Sequence, residues 1–189
     1  MSALNLPPLP PIDGGTTGRN VLDVLAERHR ELLGLAERAT TGREIDVLVA
    51  ELSRHLSVEE QYLYPAVRRT VPDGDRLADR ELAEDHELLT ILGEPEPADF
   101  DLEAVRAALR RHVEADSSEL FPLLAQMVPV EDLIRIGNRV ELAEEAAPTR
   151  PHPGTPSRPP WNKIVDPMVA MIDKARDVTS RRTTYIKDL

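Results

Sequence analysis

The sequence predicts an all-α fold: an up-down-up-down four-helix bundle with further helices towards the C-terminus. Three observations point there. Between about Thr17 and Ala147 the chain is dense in Leu, Ala, Glu and Arg, good helix formers, and holds no convincing alternating strand pattern. Within that region four long segments place apolar residues at steps of three and four, the pattern of a helix with one buried face. Turn residues at Gly42, Pro72-Asp73-Gly74 and Gly93 separate the segments, and connections this short leave neighbouring helices antiparallel.

The first helix is expected from about Asn20 to Thr40, with the stripe Leu22, Leu25, His29, Leu32, Ala36. The second starts after Gly42 and carries Leu48, Leu52, His55, Glu59, Tyr62, Ala66. A third follows the Pro72 turn with Ala78, Leu82, His86, Leu89, and a fourth carries Leu102, Val105, Leu109, His112, Asp116, Glu119, Leu123. Every stripe contains a histidine at a position expected to face the core. Pro65 and Pro122 fall where the second and fourth helices should still be running, and each is expected to kink its helix beyond the polar residues. Past Pro129 a fifth amphipathic segment shows Val130, Leu133, Ile134 and Val140. A sixth, from about Asp166 to Arg181, has Met168, Val169, Ile172, Ala175 and Val178 on one side, a face that needs a groove on the bundle or a second copy of the chain. The expected organisation is a proline-rich tail (1–16), the bundle (17–127), an additional helix (128–147), a proline-rich stretch (148–165) and a C-terminal amphipathic helix with its tail (166–189).

Composition narrows the function. Of 189 residues, 34 are acidic and 23 basic, a net charge of -11 that disfavours nucleic acid or an anionic membrane as partner. There is no cysteine, which removes disulfides, thiolate metal sites and cysteine nucleophiles together. The N-terminus has no secretory signal and no apolar run is long enough to span a bilayer, so a cytoplasmic location is expected.

The chain repeats with an offset of 57 residues: His29 maps to His86, His55 to His112, Glu59 to Asp116 and Pro65 to Pro122. The pattern is that of a duplicated helical hairpin. What the copies share is polar, which packing alone does not require. His29 and the His55/Glu59 pair are symmetric about the turn near Gly42, that pair and His86 about Pro72, and His86 and the His112/Asp116 pair about the third linker. In an up-down bundle such residues lie at one height, so all six side chains should meet well inside. The i,i+4 pairs His55/Glu59 and His112/Asp116 each put an imidazole and a carboxylate on one face. Buried and unpaired, such groups cost several kcal/mol each. Mutual hydrogen bonding is one remedy and metal ligation the better one. Four imidazoles and two carboxylates exceed one tetrahedral zinc and suit two ions of higher coordination number. Nitrogen and oxygen donors without thiolate leave iron, manganese and zinc open. The fifth histidine, His152, lies in the proline-rich stretch and reads as incidental to this cluster.

His29, then His55-x-x-x-Glu59 followed by Leu63-Tyr64-Pro65, then His86, then His112-x-x-x-Asp116 followed by Leu120-Phe121-Pro122, resembles a hemerythrin-like HHE cation-binding domain. The likeness covers about residues 17–127. It implies a four-helix bundle with two non-haem iron ions, oxo- or hydroxo-bridged, at these six residues, and Glu59 and Asp116 as bridging carboxylates. It also implies O2, H2O2 or NO as the small ligand. The stretch ending Pro159-Pro160-Trp161-Asn162-Lys163 and the last helix resemble the tail of actinobacterial hemerythrin-like proteins. One departure from the invertebrate oxygen carriers stands out: where those have an extra histidine one turn along the third helix, this chain has Thr90. Tyr62 and Glu119, three residues beyond Glu59 and Asp116, become candidates for an extra ligand or a hydrogen-bonding group behind the ligands.

The expected function is a di-iron protein that binds or reduces small oxidants, with no catalytic residue distinct from the metal site. Catalase-like or peroxidase-like turnover stays open beside simple binding. The alternative is an oxygen-, redox- or iron-responsive sensor signalling through its C-terminal segment, with homodimerisation through the last helix as one arrangement. A two-metal hydrolase fits poorly, because the chain shows no nucleophile motif and no phosphate-cradling glycine loop.

Overall fold

The computed structural model describes residues 16–93, 100–144, 147–152, 171, 173, 174, 176, 177 and 182–189. Among these the secondary structure is helical throughout, arranged as a four-helix bundle with a further helix laid against it. The first bundle helix is α1 (Val21–Arg38). The second is α2 (Gly42–Val58), continued through a π-helical turn (Glu59–Leu63) into α3 (Tyr64–Thr70). The third is α4 (Gly74–Leu92), and the fourth is α5 (Leu102–Ala115), continued through a second π-helical turn (Asp116–Leu120) into α6 (Phe121–Met127). The additional helix is α7 (Val130–Glu144), and a short 3-10 turn, Ile186–Asp188, lies at the C-terminal end. No helix among the described residues is long and apolar enough to cross a membrane.

The helix starts follow from local chemistry. The Asn20 side chain accepts the Leu22 backbone N–H at 2.9 Å, and Asp101 does the same for Ala104 at 3.0 Å. Thr41 and Glu44 form a reciprocal capping box at the start of α2. Asp73 takes the left-handed conformation that the tight turn into α4 requires, with φ 59°. The fifth helix, α7, crosses the entry of α1 at close range: a Cβ added at Gly137 would stand 2.2 Å from the Arg19 carbonyl oxygen.

The prolines act earlier than expected. Instead of a kink beyond the polar residues, each is preceded by a π-turn that begins at the polar residue itself. Pro65 has no N–H, and its ring crowds the carbonyl four residues back. The helix widens, and the Tyr64 N–H reaches five residues back to the Glu59 carbonyl, as the Phe121 N–H does to that of Asp116. The extra residue shifts the phase downstream. After Asp116 the buried positions include Leu120, Phe121 and Leu124, while Glu119 is exposed and Leu123 only half-buried.

A second correction concerns α4. The expected stripe Ala78, Leu82, His86, Leu89 is not the buried face: His86 is exposed, and the buried positions step through Leu77, Ala78, Glu81, Asp85, Leu88 and Leu92. Steps of four alone drift around a helix by about 40° each, so only the alternation of three and four tracks a straight seam. Two buried acids occupy that seam.

The apolar core is split into two clusters. One contains Val21, Leu25, Val58, Leu63, Ala66, Ala78, Leu120 and Leu124, and the other contains Leu32, Leu35, Leu48, Leu52, Leu88, Val105 and Leu109. Along every bundle helix the break between them is filled by polar residues: His29, His55 and Glu59, Glu81 and Asp85, His112 and Asp116.

The face expected for the last helix (Met168, Val169, Ile172, Ala175, Val178) lies outside the described residues, as do most of the two proline-rich stretches and the segment around Trp161. Residues 171, 173, 174, 176 and 177 are helical, with Asp173 and Asp177 buried.

Candidate metal centre

The polar layer gathers residues from all four bundle helices. His29 comes from α1, His55 from the end of α2, Glu59 and Asp116 from the first positions of the two π-turns, Asp85 from α4 and His112 from α5. Nε2 of His55 lies 3.0 Å from Nε2 of His29 and 3.2 Å from Nε2 of His112. Glu59 faces all three rings, with Oε1 3.4 Å from His55 Nε2 and 3.6 Å from His29 Nε2, and Oε2 3.3 Å from His112 Nε2. Asp116 Oδ2 stands 3.7 Å from His29 Nε2 and 3.9 Å from His112 Nε2. One donor atom from each of His29, His55, Glu59 and His112 lies within 4.8 Å of every other, and all four residues are buried.

Electrostatics sharpen the picture. Burial lowers the pKa of His29 and drives that of His55 well below the ordinary value, leaving neutral rings with lone pairs to offer. Burial works against ionisation of Glu59, but the imidazoles of His55 and His112 outweigh it and hold the carboxyl well below its usual range. His112 runs the other way: burial favours its neutral ring, yet Glu59 and Asp116 carry its pKa well up. Asp116 is pushed well above the carboxylate range by burial and then by the negative charge of Glu59.

These residues fit a bound cation. Both oxygens of Glu59 and both of Asp116 are buried without a hydrogen-bond donor among the described residues. Such orphaned oxygens are costly unless a positive partner faces them. Donors sharing one ion at bond lengths of about 2.0–2.2 Å lie roughly 3–4 Å apart, which is the spacing seen here. The mixture of imidazole nitrogen and carboxylate oxygen suits a divalent transition metal better than calcium.

Of the residues singled out in the sequence, the structure brings together His29, His55, Glu59, His112 and Asp116. It does not bring in His86. Tyr62 is buried within the apolar cluster on the side of Leu63 and Leu120. Glu119 has a side chain 46% exposed and pairs with Arg80 at 2.7 Å. His152 pairs with the buried Asp173, Nε2 to Oδ2 3.0 Å, and so serves the C-terminal segment rather than the centre.

Two buried acids of α4 went unnoticed in the sequence, Asp85 beside the centre and Glu81 one turn away, paired with Arg80. Asp85 is wholly buried; its Oδ2 accepts the Tyr64 hydroxyl at 2.6 Å, and its Oδ1 lies 3.1 Å from His112 Nδ1. An acid at that distance favours the Nδ1–H tautomer and leaves Nε2 for the centre, although the two atoms are not aligned as a hydrogen bond. Burial, opposed by His112, raises the Asp85 carboxyl, while burial and the charge of Asp85 push the Tyr64 hydroxyl well up, so Tyr64 stays a donor. Phe121 completes the wall by stacking on His29, with rings 5.6 Å apart and 5° from parallel. The available signal was the alternation 77, 78, 81, 85, 88, 92 along α4, which a purely apolar reading discards.

Comparison with known proteins agrees with this geometry. The model of the hemerythrin HHE cation-binding domain matches residues 19–124, the span that holds every residue of the polar layer. The chain is also similar to an uncharacterized hemerythrin-like protein of Schizosaccharomyces pombe, at 23% identity over 177 residues that cover 85% of this chain and 87% of the yeast protein. No solved structure matches the chain significantly.

Proposed function

The chain belongs to the hemerythrin HHE cation-binding domain family, and from that premise we propose a cytoplasmic, non-haem di-iron protein that binds or reduces O2, H2O2 or NO in the core of its bundle. The observation that carries this reading is the convergence of three imidazole nitrogens and the Glu59 carboxylate on one buried point, with the donor-less oxygens of Asp116 beside it. Iron held there would supply the electrons for an oxidant. The protein's own part is positional. His29, His55 and His112 aim Nε2 inward; Asp85 and Phe121 fix the planes of His112 and His29. Glu59 and Asp116 supply the compensating negative charge. The two apolar clusters seal the layer from above and below, excluding water and bulky substrates. A histidine-rich centre with few anionic ligands favours reversible binding or mild peroxide turnover over attack on C–H bonds.

The test is elemental analysis of the purified protein, followed by anaerobic mixing of the ferrous form with O2, H2O2 or NO and recording of the absorption spectrum. About two irons per chain and a new charge-transfer band support the reading. A ferrous protein inert to all three overturns it.

A second reading, sensing through the C-terminal segment, is favoured by one contact. Arg54, the residue before His55, is buried: Nη1 donates to the Thr184 carbonyl at 2.7 Å and the guanidinium lies 4.2 Å from the centre of the Tyr185 ring. The Ile186 N–H donates to Glu51 Oε1 at 3.3 Å and Arg182 pairs with Asp46 at 2.9 Å. Residues 182–188 thus strap the back of the helix that carries His55. Identical hydrodynamic size and protease sensitivity in apo, reduced and oxidised protein would remove this reading.

A further inference from the structure

The 57-residue repeat pairs Tyr64 with Phe121, each the first residue after its π-turn and each followed by the proline that forces the turn. In the second copy the phenyl ring stacks on His29, with centroids 5.6 Å apart. In the first copy the ring carries a hydroxyl, which donates to Asp85 Oδ2 at 2.6 Å from a residue only 1% exposed. The turn itself does not need that hydroxyl, because the other half of the bundle closes the same turn without one. Tyr64 is tied to the centre twice. Its backbone N–H bonds the Glu59 carbonyl, and its hydroxyl holds Asp85, whose Oδ1 lies 3.1 Å from His112 Nδ1.

Chemistry singles out this phenol. The chain has no cysteine, one tryptophan and three tyrosines. Tyr185 lies on the C-terminal strap against Arg54, and Tyr62 lies in the apolar cluster. Tyr64 holds its hydroxyl against a wholly buried carboxylate that is itself beside a candidate ligand. A phenol that loses an electron becomes a strong acid, so its proton must leave in the same step. Separate losses are costly in a dry interior, since a phenolate or a cation radical would each be a buried charge. Loss of both together leaves a neutral ring, and a carboxylate oxygen 2.6 Å away is within the reach that proton transfer needs.

We propose that Tyr64 is a redox-active residue, giving one electron to the centre when hydrogen peroxide leaves it an electron short and passing its hydroxyl proton to Asp85. This rests on reading the bundle core as an iron centre. Peroxide takes up two electrons and two protons as its O–O bond breaks to give two waters. Where the centre can give only one electron, Tyr64 gives the other. The phenol O–H bond breaks, the proton moves to Oδ2 of Asp85 and the electron passes to the centre. Tyr64 is left oxidised as a neutral tyrosyl radical, and the two protons that complete the waters come from solvent. The ring belongs to the apolar cluster that holds Val67, Leu77 and Ala78, which keeps the radical from dissolved reductants.

The experiment mixes the full-length, iron-loaded protein with H2O2, freezes it at successive times and records the electron paramagnetic resonance of protein grown with ordinary or ring-deuterated tyrosine. The wild type is expected to give a free-radical signal whose hyperfine pattern collapses on deuteration. Tyr64→Phe, which copies the ring found at Phe121, should lose the signal while keeping its iron by elemental analysis. Tyr62→Phe and Tyr185→Phe should retain it. Asp85→Asn takes away the proton acceptor, and per bound iron it should form the radical about 100-fold or more slowly. A signal that persists in Tyr64→Phe overturns the proposal, as does a wild-type centre whose absorption changes with peroxide while no tyrosyl signal forms. A protein that holds no iron, or whose iron is inert to peroxide, fails differently, because the reading of the centre then falls and takes the proposal with it.

Discussion

Asp85 Oδ1 lies 3.1 Å from Nδ1 of His112, deep inside the bundle and with Tyr64 behind it at 2.6 Å. A carboxylate in that position favours one tautomer of His112, the one that would turn Nε2 to a cation in the centre. Asp85→Asn is therefore expected to weaken Fe(II) or Zn(II) binding at the imidazole-rich position by about 10- to 100-fold. Tyr64→Phe removes only the support of the support and should have a smaller effect. Competition against a chelator of known affinity measures both, and unchanged affinity in Asp85→Asn would show that the contact orients nothing.

His55→Ala should abolish metal binding at the centre, since His55 is wholly buried and its Nε2 is within 3.4 Å of His29, His112 and Glu59. His152→Ala supplies the contrast. That residue pairs with Asp173, so metal content should stay at the wild-type value while proteases cut the C-terminal segment faster. Elemental analysis and limited proteolysis of the two variants should give opposite patterns.

Gly137→Ala tests the seating of α7. The added Cβ would approach the Arg19 carbonyl oxygen to 2.2 Å and the Val21 nitrogen to 3.0 Å, both backbone atoms that cannot swing aside. Overpacking of this kind typically costs about 1–3 kcal/mol, and thermal or urea denaturation should record a loss in that range. A neutral result would mean that α7 rides loosely on α1.

The capping box of α2 predicts an acid limb in the stability curve. Backbone N–H groups of Thr40 and Thr41 donate to Glu44 and bring its pKa from 4.5 to about 2. A carboxyl depressed in the folded state stabilises above its unfolded pKa, and that contribution fades as pH falls towards about 2. Glu44→Gln should lower stability near neutrality and flatten the part of the acid limb below about pH 4.5. Thr41→Ala, which removes the other half of the box, should cost about 1 kcal/mol at neutral pH. Denaturant titrations at several pH values check both.

The bundle was legible because three of its four seams are framed by leucines that mark the buried side. Leu25 and Leu32 bracket His29, Leu52 and Leu56 bracket His55, and Leu109 lies one turn before His112. The α4 seam was misread for the opposite reason. Half-exposed Leu82 and Leu89 mark a line about 100° from the buried one, and nothing local to Glu81 and Asp85 announces their burial. Their burial depends on partners distant in sequence, Tyr64, His112 and Arg80's span to Glu119, which no local periodicity reports. The match of His86 to His29 at the 57-residue offset also misled, because a duplicated sequence need not keep the same helix rotation. The π-turns were hidden too: Pro65 and Pro122 announce a missing N–H but not whether the helix bends or widens.

The break between the two apolar clusters has a kinetic consequence. His29, His55 and Glu59 belong to the first hairpin, while Glu81, Asp85, His112 and Asp116 belong to the second. Without a cation, the seam between the halves joins mutually repelling carboxylates; a cation held among them would be a stitch sewn through both hairpins. If its release needs the hairpins to part, the dissociation rate should track the opening of the bundle. Any substitution that loosens the hairpins, however far from the ligands, should shorten the lifetime of the bound metal.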